Sequence, residues 1–123
     1  MMDLHEFLKV LEEEHELVKI KTEVDPKHEL GAICKIHNER PNSPALLFEN
    51  VKGHKIPVVG QLLASDRRVA LALGLSQENV FDETVRRASQ PISTRLVASG
   101  PCQDVVYEGA DVDVTKLPLC TNN

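Results

Sequence analysis

Three segments of the chain begin like the zinc-binding motif HExxH, which holds the metal through two imidazoles one helical turn apart. The segments start at His5, His15 and His28, and each has glutamate in the second position. The residues at the position of the second histidine are Lys9, Lys19 and Ala32. Because one imidazole of the pair is missing each time, the sequence does not indicate a zinc site of this type.

Cys34 and His37 are three residues apart in a segment whose pattern predicts a helix. A thiol and an imidazole at this spacing could bind a metal ion or act as a nucleophile with its base. We favour a packed thiol beside a partly buried imidazole. Cys34, Cys102 and Cys120 are odd in number and widely spaced, which indicates reduced thiols rather than a disulfide framework or a CxxC zinc site.

Charged clusters are the next candidates for chemistry. General acid–base catalysis needs carboxylates held in a pocket with separated pKa values. The glutamates 12–14 lie at the polar end of a predicted helix, and Asp111 and Asp113 alternate with valines. We interpret both groups as facing solvent. The adjacent arginine pairs 67–68 and 86–87 lie in predicted helices, and we also interpret them as solvated.

Gly53 lies in a charged link between two apolar runs of the stretch PALLFENVKGHKIPVVGQLL, residues 44–63. A Walker loop needs GxxxxGK followed by Ser or Thr, so that backbone N–H groups and the lysine converge on a phosphate. Gly53 lacks both the second glycine and that tail, and the chain contains no GxGxxG or GxSxG. We therefore predict a β-hairpin with strands 45–48 and 56–61, covered on both faces. From spacing alone, no catalytic, cofactor-binding or metal-binding residue is assigned.

Four helices are predicted around this hairpin, and the first two have clear start signals. The first carries an apolar stripe, opens with a capping box of Asp3 and Glu6, and fades near Glu14. The second has Asp25 as its cap and Pro26 at its first position, where the missing N–H costs nothing.

The third predicted helix is capped by Ser65 and ends at Gly74. The fourth is predicted to turn three side chains inward, which are Phe81, Val85 and Ala88.

Two further strands are predicted. Residues 17–24 alternate between apolar and polar, which places Val18, Ile20 and Val24 on a buried face. Residues 103–109 read as a short strand after a connector at 91–102, and residues 110–123 as a final turn leading out of the domain. The fold class is α/β, as a mixed α+β arrangement of a small sheet and about four flanking helices.

The bulk composition excludes several kinds of partner. A chain of 123 residues indicates one domain. A net charge of −5 disfavours nucleic acid, and 3% aromatic residues leave few rings for base stacking. No apolar run approaches the ~20 residues of a membrane span, and the N-terminus lacks a signal-peptide core. We expect a cytoplasmic protein.

Four segments in order resemble the N-terminal region of the UbiD-type decarboxylases: DLHEFLKVLEEEHELVKI, VDPKHELGAI, PALLFENVKGHKIPVVGQLLASDRRVALALGL and GPCQDVVYEGADVDVTKLPL. The resemblance covers nearly the whole chain, and residues 44–63 are its most specific part. The family tends to carry glycine where His15 stands. His15 is therefore expected to take a left-handed conformation after the first helix, or that helix ends differently.

The resemblance implies a longer enzyme, a reversible carboxy-lyase for aromatic, heteroaromatic or α,β-unsaturated carboxylic acids. Its implied cofactors are prenylated FMN, Mn²⁺ or Mg²⁺, and K⁺. The family's cofactor and catalytic residues lie in a following split-barrel domain, and no position here matches them. Residues 1–117 are then an N-terminal domain and 118–123 a connector into that missing domain. The segment alone is expected to be inactive and to bind no cofactor.

The implied partners are the flavin-binding and C-terminal domains of the same enzyme, a small acid substrate, and further copies in a homo-oligomer. We favour a fragment of that enzyme. Two alternatives remain open at this stage: a non-catalytic interaction or regulatory subunit derived from the same domain, and an unrelated small α/β domain that binds a nucleotide.

Overall fold

A three-stranded sheet with the order β1-β2-β3 lies at the centre of the fold. Strand β1 (Leu17–Ile20) runs parallel to β2 (Ala45–Phe48), and β2 pairs antiparallel with β3 (Val58–Gly60). The computed structural model describes residues 2–121. The parallel step from β1 to β2 requires a crossover, and helix α2 (Glu29–Asn38) lies in it. This arrangement confirms the predicted fold class.

Both faces of β2 are buried, as the continuous apolar run predicted. Side chains alternate along a strand, so Leu46 and Phe48 point to one face and Ala45 to the other. Leu46 and Phe48 pack in a cluster with residues from around α2. Ala45 packs with Phe7 and Leu11 of helix α1 (Leu4–Glu13). The sheet therefore has one helical layer on each side.

The predicted hairpin is confirmed by the pairing of Phe48 with Val58. Gly53 has φ +78°, and a Cβ added to it would meet no atom within 4 Å. Glycine is therefore favoured at this position because the backbone has a positive φ, as in a turn. It is not needed to make room for a phosphate. The second strand is shorter than predicted, because it begins after Pro57, which has no N–H to donate to a ladder.

Helices α1 and α3 begin and end as predicted. The Asp3 side chain accepts from the Glu6 N–H, and the Glu6 carboxylate accepts from the Asp3 N–H, which completes the capping box. In α3 (Asp66–Leu73) the Ser65 hydroxyl accepts from a backbone N–H of the first turn. Gly74 ends this helix with φ +65°.

Helix α2 begins three residues later than predicted, at Glu29 instead of Pro26. The backbone groups before it are paired with the far end of the chain. Thr121 donates its N–H to the carbonyl of Pro26 and accepts the N–H of His28. These bonds tie the turn before the helix to the far end of the chain, and His28 becomes the residue before the helix, with φ +72°.

Strand β1 ends earlier than the alternating pattern predicted. Ile20 is partly buried against the α2-side cluster, but Val18 is 43% exposed. After Ile20 the chain leaves the sheet. Val24 is buried as predicted, although it lies outside the strand in an isolated bridge to Val51 of the hairpin loop.

The last third of the chain differs most from the prediction. Helix α4 (Val80–Ala88) follows a short 3₁₀ turn, and all three side chains predicted to face inward are exposed: Phe81, Val85 and Ala88. Residues 91–100 form an irregular connector, as predicted. The predicted strand 103–109 was wrong, and the described part of this segment has three 3₁₀ turns instead: Pro101–Gln103, Gly109–Asp111 and Val114–Lys116. Among residues 2–121, the three strands of the sheet pair only with one another and give these residues no ladder of hydrogen bonds.

His15 ends α1 in the left-handed conformation, with φ +59°. This is one of the two outcomes expected from the family resemblance. Its N–H bonds the carbonyl of Glu12, and the N–H of Glu16 bonds that of Leu11. This pair of bonds is the Schellman arrangement, whose left-handed position glycine occupies without steric cost. Histidine has a Cβ, so the left-handed conformation is sterically strained at this position.

Replacing His15 by glycine is expected to raise the free energy of unfolding by about 1 kcal/mol, because the Cβ strain of the left-handed position is removed. The matched control is His5→Gly in the first turn of α1, which should lower it by about 0.3–0.5 kcal/mol, the difference in helix propensity between the two residues. Urea unfolding of the two variants measures both changes. A decrease in stability for His15→Gly contradicts the assignment of strain to this position.

Candidate functional site

Arg68 is a buried charge, with 1% of its side chain exposed. Its Nη1 donates to the Glu16 carboxylate and to the Ser43 carbonyl, each at 2.9 Å. Its Nε donates to the carbonyl of Leu62 and its Nη2 to that of Gln61, each at 3.2 Å. One guanidinium therefore joins α3 to the entries of β1 and β2 and to the loop after β3.

The prediction that both arginines of the pair 67–68 are solvated is wrong for Arg68. Arg67 is half exposed and pairs with Glu14 and Glu16 at 2.9 and 3.1 Å. A cleft of about 700 Å³ opens here, and Glu16, Asp66, Arg67 and Arg68 contribute its charges. Two negative and two positive side chains balance one another, so this cleft offers no net charge to an ionic ligand. The ion pairs here have a structural role, because they link helix α3 to Glu16, the residue before β1.

The His37 imidazole and the Cys34 thiol have different neighbours in the structure. The Nε2 of His37 lies 3.1 Å from the Pro44 carbonyl oxygen. Cys34 is partly buried, and a Cβ built on Gly60 would lie 2.6 Å from its Sγ. Burial raises the pKa of the Cys34 thiol, with a smaller contribution from the nearby Cys120. This is the packed thiol that the sequence interpretation favoured.

The remaining charged candidates face solvent or pair locally. Asp113 accepts from the N–H and the hydroxyl of Thr115 at 3.0 and 2.6 Å, as a cap of a 3₁₀ turn. Asp111 is exposed, as predicted. Within residues 2–121 no group of three or more His, Cys, Asp or Glu is placed to hold a metal ion. In the same range, no helix is both long and apolar enough to cross a membrane.

Helix α4 has two contrasting sides. On one side Glu83 accepts from Arg86 at 2.6 Å and from Arg87 at 2.8 Å. Those bonds lower the pKa of the Glu83 carboxyl to about 2, so this carboxylate stays ionised at an acidity that protonates an ordinary glutamate. On the other side, Phe81 and Val85 are exposed one turn apart. The helix therefore presents an apolar stripe outward, while Glu83, Arg86 and Arg87 are paired with one another.

An apolar groove of about 370 Å³ lies between the hairpin loop and the last 3₁₀ turns. Ile56 lines one side, and Tyr107, Val112, Val114 and Leu117 line the other. The His54 imidazole Nδ1 lies 3.3 Å from the Lys116 carbonyl oxygen at its edge.

The family comparison matches most of the chain. Residues 8–88 match the UbiD N-terminal domain, described as the N-terminal domain of 3-octaprenyl-4-hydroxybenzoate carboxy-lyase. The match includes the whole sheet and helices α2 to α4, and it ends at the last residue of α4.

Similar solved structures cover the whole length. The UbiD-class enzyme HmfF from Pelotomaculum thermopropionicum, in an evolved dimeric form in complex with prFMN, is 29% identical over 100% of this chain, with a TM-score of 0.86. The vanillic acid decarboxylase of Sedimentibacter hydroxybenzoicus in closed form is 34% identical over 100%, with a TM-score of 0.86. The apo 3,4-dihydroxybenzoic acid decarboxylase of Klebsiella pneumoniae is 26% identical over 99%, with a TM-score of 0.80. The chain spans 28–29% of the length of these relatives.

Proposed function

The chain belongs to the UbiD family through its N-terminal domain, and from this premise we propose that it serves a reversible, non-oxidative decarboxylase of aromatic, heteroaromatic or α,β-unsaturated carboxylic acids. The observation that carries the proposal is the likeness over the whole chain to HmfF in complex with prFMN. The 34% identity to a vanillic acid decarboxylase supports an aromatic acid as one substrate class.

The catalytic chemistry is proposed to lie outside this segment. The residues described here offer no set of donors suited to Mn²⁺ or Mg²⁺, and the buried Arg68 is already committed to Glu16 and three carbonyls. We therefore assign no step at the cofactor to this chain. When bound elsewhere in the enzyme, prenylated FMN would supply the electron sink for cleavage of the bond to the carboxylate, with a divalent metal and K⁺ beside it.

The role proposed for this chain is to flank the flavin-binding domain and to help close the active-site cleft, as mobile domains do in many enzymes. Residues 1–117 are proposed as the domain and 118–123 as the connector. The bonds of Thr121 to Pro26 and His28 would fix the start of that connector on the domain. Its last two residues lie outside the described range.

The decisive experiment reconstitutes the complete gene product with prenylated FMN, Mn²⁺ and K⁺ and measures CO₂ release from a panel of aromatic and unsaturated acids. The same assay on the 123-residue chain alone is the control. We expect turnover from the complete protein and none from the chain alone. Turnover by the isolated chain contradicts the assignment of catalysis to other polypeptide.

The intact mass of the gene product separates the main proposal from a non-catalytic subunit derived from the same domain. A mass several times that of this 13.7 kDa chain supports an enzyme with its own flavin-binding domain. A mass equal to it supports the subunit, which would then need a separate catalytic partner.

A further inference from the structure

Residues 117–121, which we term the terminal segment, cross from the hairpin loop to the start of α2. Just before the segment, the Lys116 carbonyl oxygen lies 3.3 Å from the imidazole Nδ1 of His54 in the hairpin loop. At its far end Thr121 is hydrogen-bonded to the backbone immediately before α2, through both its N–H and its carbonyl. Cys120 is therefore placed beside the beginning of α2.

The Cys34 thiol lies in the same gap between α2 and the hairpin. A Cβ built on Gly60 of β3 would lie 2.6 Å from the Cys34 Sγ, so the sulfur rests against the hairpin strand. Cys34 is the sixth residue of α2, and side chains on a helix lean toward its N-terminus. The sulfur is therefore directed toward the end of α2 beside which Cys120 lies.

The two thiols also act on each other electrostatically. Burial is the main cause that raises the pKa of the Cys34 thiol, and the Cys120 thiol is the second cause. A negative charge on one sulfur disfavours a charge on the other when the two are near. Cys34 is partly buried and Cys120 is exposed, so a dissolved oxidant reaches Cys120 first.

We propose that Cys34 and Cys120 form a redox-sensitive pair, which a low-molecular-weight disulfide such as oxidised glutathione converts into a disulfide bond. The Cys120 thiolate attacks one sulfur of glutathione disulfide, and one glutathione leaves as thiolate. The Cys34 thiolate then attacks the Cys120 sulfur of the mixed disulfide, and the second glutathione leaves with the electron pair of the broken S–S bond. The protein dithiol is thus oxidised, and the two protons that it releases end on the two reduced glutathiones.

The consequence of this bond is a terminal segment that cannot leave α2. In the reduced protein the hydrogen bonds of Thr121 hold the segment there, and bonds of this kind open and close in the native state. A disulfide requires Cα atoms within roughly 7 Å of each other. Oxidation therefore selects the conformation in which the segment lies against α2 over any conformation in which it has left.

Peptide mapping of the complete gene product tests the pair. The protein is incubated with glutathione disulfide under nitrogen, its remaining thiols are alkylated, and it is digested with trypsin without reduction. We expect the peptide 28–35 joined to the peptide that begins at Leu117. This product should be at least ~10-fold more abundant than any link through Cys102, because a neighbouring thiol has the higher effective concentration. Dithiothreitol should release both peptides.

Three serine variants serve as matched controls. Cys102→Ser should leave the link unchanged, since Cys102 is exposed and lies outside the pair. Cys34→Ser should stop the reaction at a mixed disulfide between Cys120 and glutathione. Cys120→Ser, at an exposed position that does not disturb the core, should leave Cys34 reduced and alkylated.

Glutathione retained on Cys120 of the unaltered protein, with Cys34 recovered in alkylated form, overturns the proposal. Links through Cys102 in equal amount also overturn it, because pairing then follows exposure alone. The result does not depend on decarboxylation. A protein that forms the bond but releases no CO₂ retains the redox pair and removes the proposed function, and an active enzyme without the bond does the reverse.

Discussion

Replacing Phe48 by alanine is expected to lower the free energy of unfolding by about 3–5 kcal/mol, the usual cost of removing a buried phenyl ring. Phe48 is fully buried in the central strand and packs with Leu46, Val24, Leu30 and Val51. Its neighbours belong to the sheet, α2, the hairpin loop and the segment between β1 and α2, so they cannot collapse together into the space. The urea midpoint of the chain should fall by about 1 M or more.

The matched control is Phe81→Ala, because Phe81 is the same residue type at 75% exposure on α4. In the 123-residue chain this change should alter stability by no more than about 0.5 kcal/mol. An unchanged midpoint for Phe48→Ala, or equal losses in the two variants, contradicts the burial of Phe48.

Features that depend on a few neighbouring residues were predicted correctly from the sequence. The capping box of Asp3 and Glu6, the Ser65 cap and the glycine end at Gly74 are set by backbone groups within one helical turn. The hairpin around Gly53 likewise depends on residues close together in the sequence. A local hydrogen-bonding need leaves a local signature, so these elements were recognisable.

Features that depend on distant parts of the chain were not predicted. Helix α2 begins late because Thr121, nearly one hundred residues away, pairs with Pro26 and His28. Helix α4 is amphipathic, a pattern that favours an apolar face packed on another surface. The pattern alone does not say whether that surface belongs to the same domain, and here Phe81 and Val85 are exposed.

Arg68 was misread for a related reason. Adjacent arginines in a helix are usually solvated, and both arginines of the pair 67–68 were predicted to be so. The burial of Arg68 was therefore not predicted. A signal was present, since Arg68 lies three and four residues before Leu71 and Ala72, which pack on the core. Helical periodicity therefore placed Arg68 on the inner face, and Glu16 was the carboxylate available to it.

Replacing Arg68 by methionine is expected to cost about 3 kcal/mol or more, although methionine can fill much of the space of the arginine stem. The loss comes from the polar groups left behind: the Glu16 carboxylate keeps only Arg67, and the carbonyls of Ser43 and Leu62 lose their donor. The Gln61 carbonyl loses one of its two donors and keeps the Ala64 N–H. Arg67→Met is the matched control. It removes the two ion pairs of the half-exposed Arg67, which should cost about 1 kcal/mol or less. Urea unfolding at neutral pH compares the two, and similar losses for both variants contradict the role of Arg68 as the joint between α3 and the sheet. A larger loss for Arg68 means that a buried charge, rather than apolar packing alone, fixes how the helical layer sits on the strands.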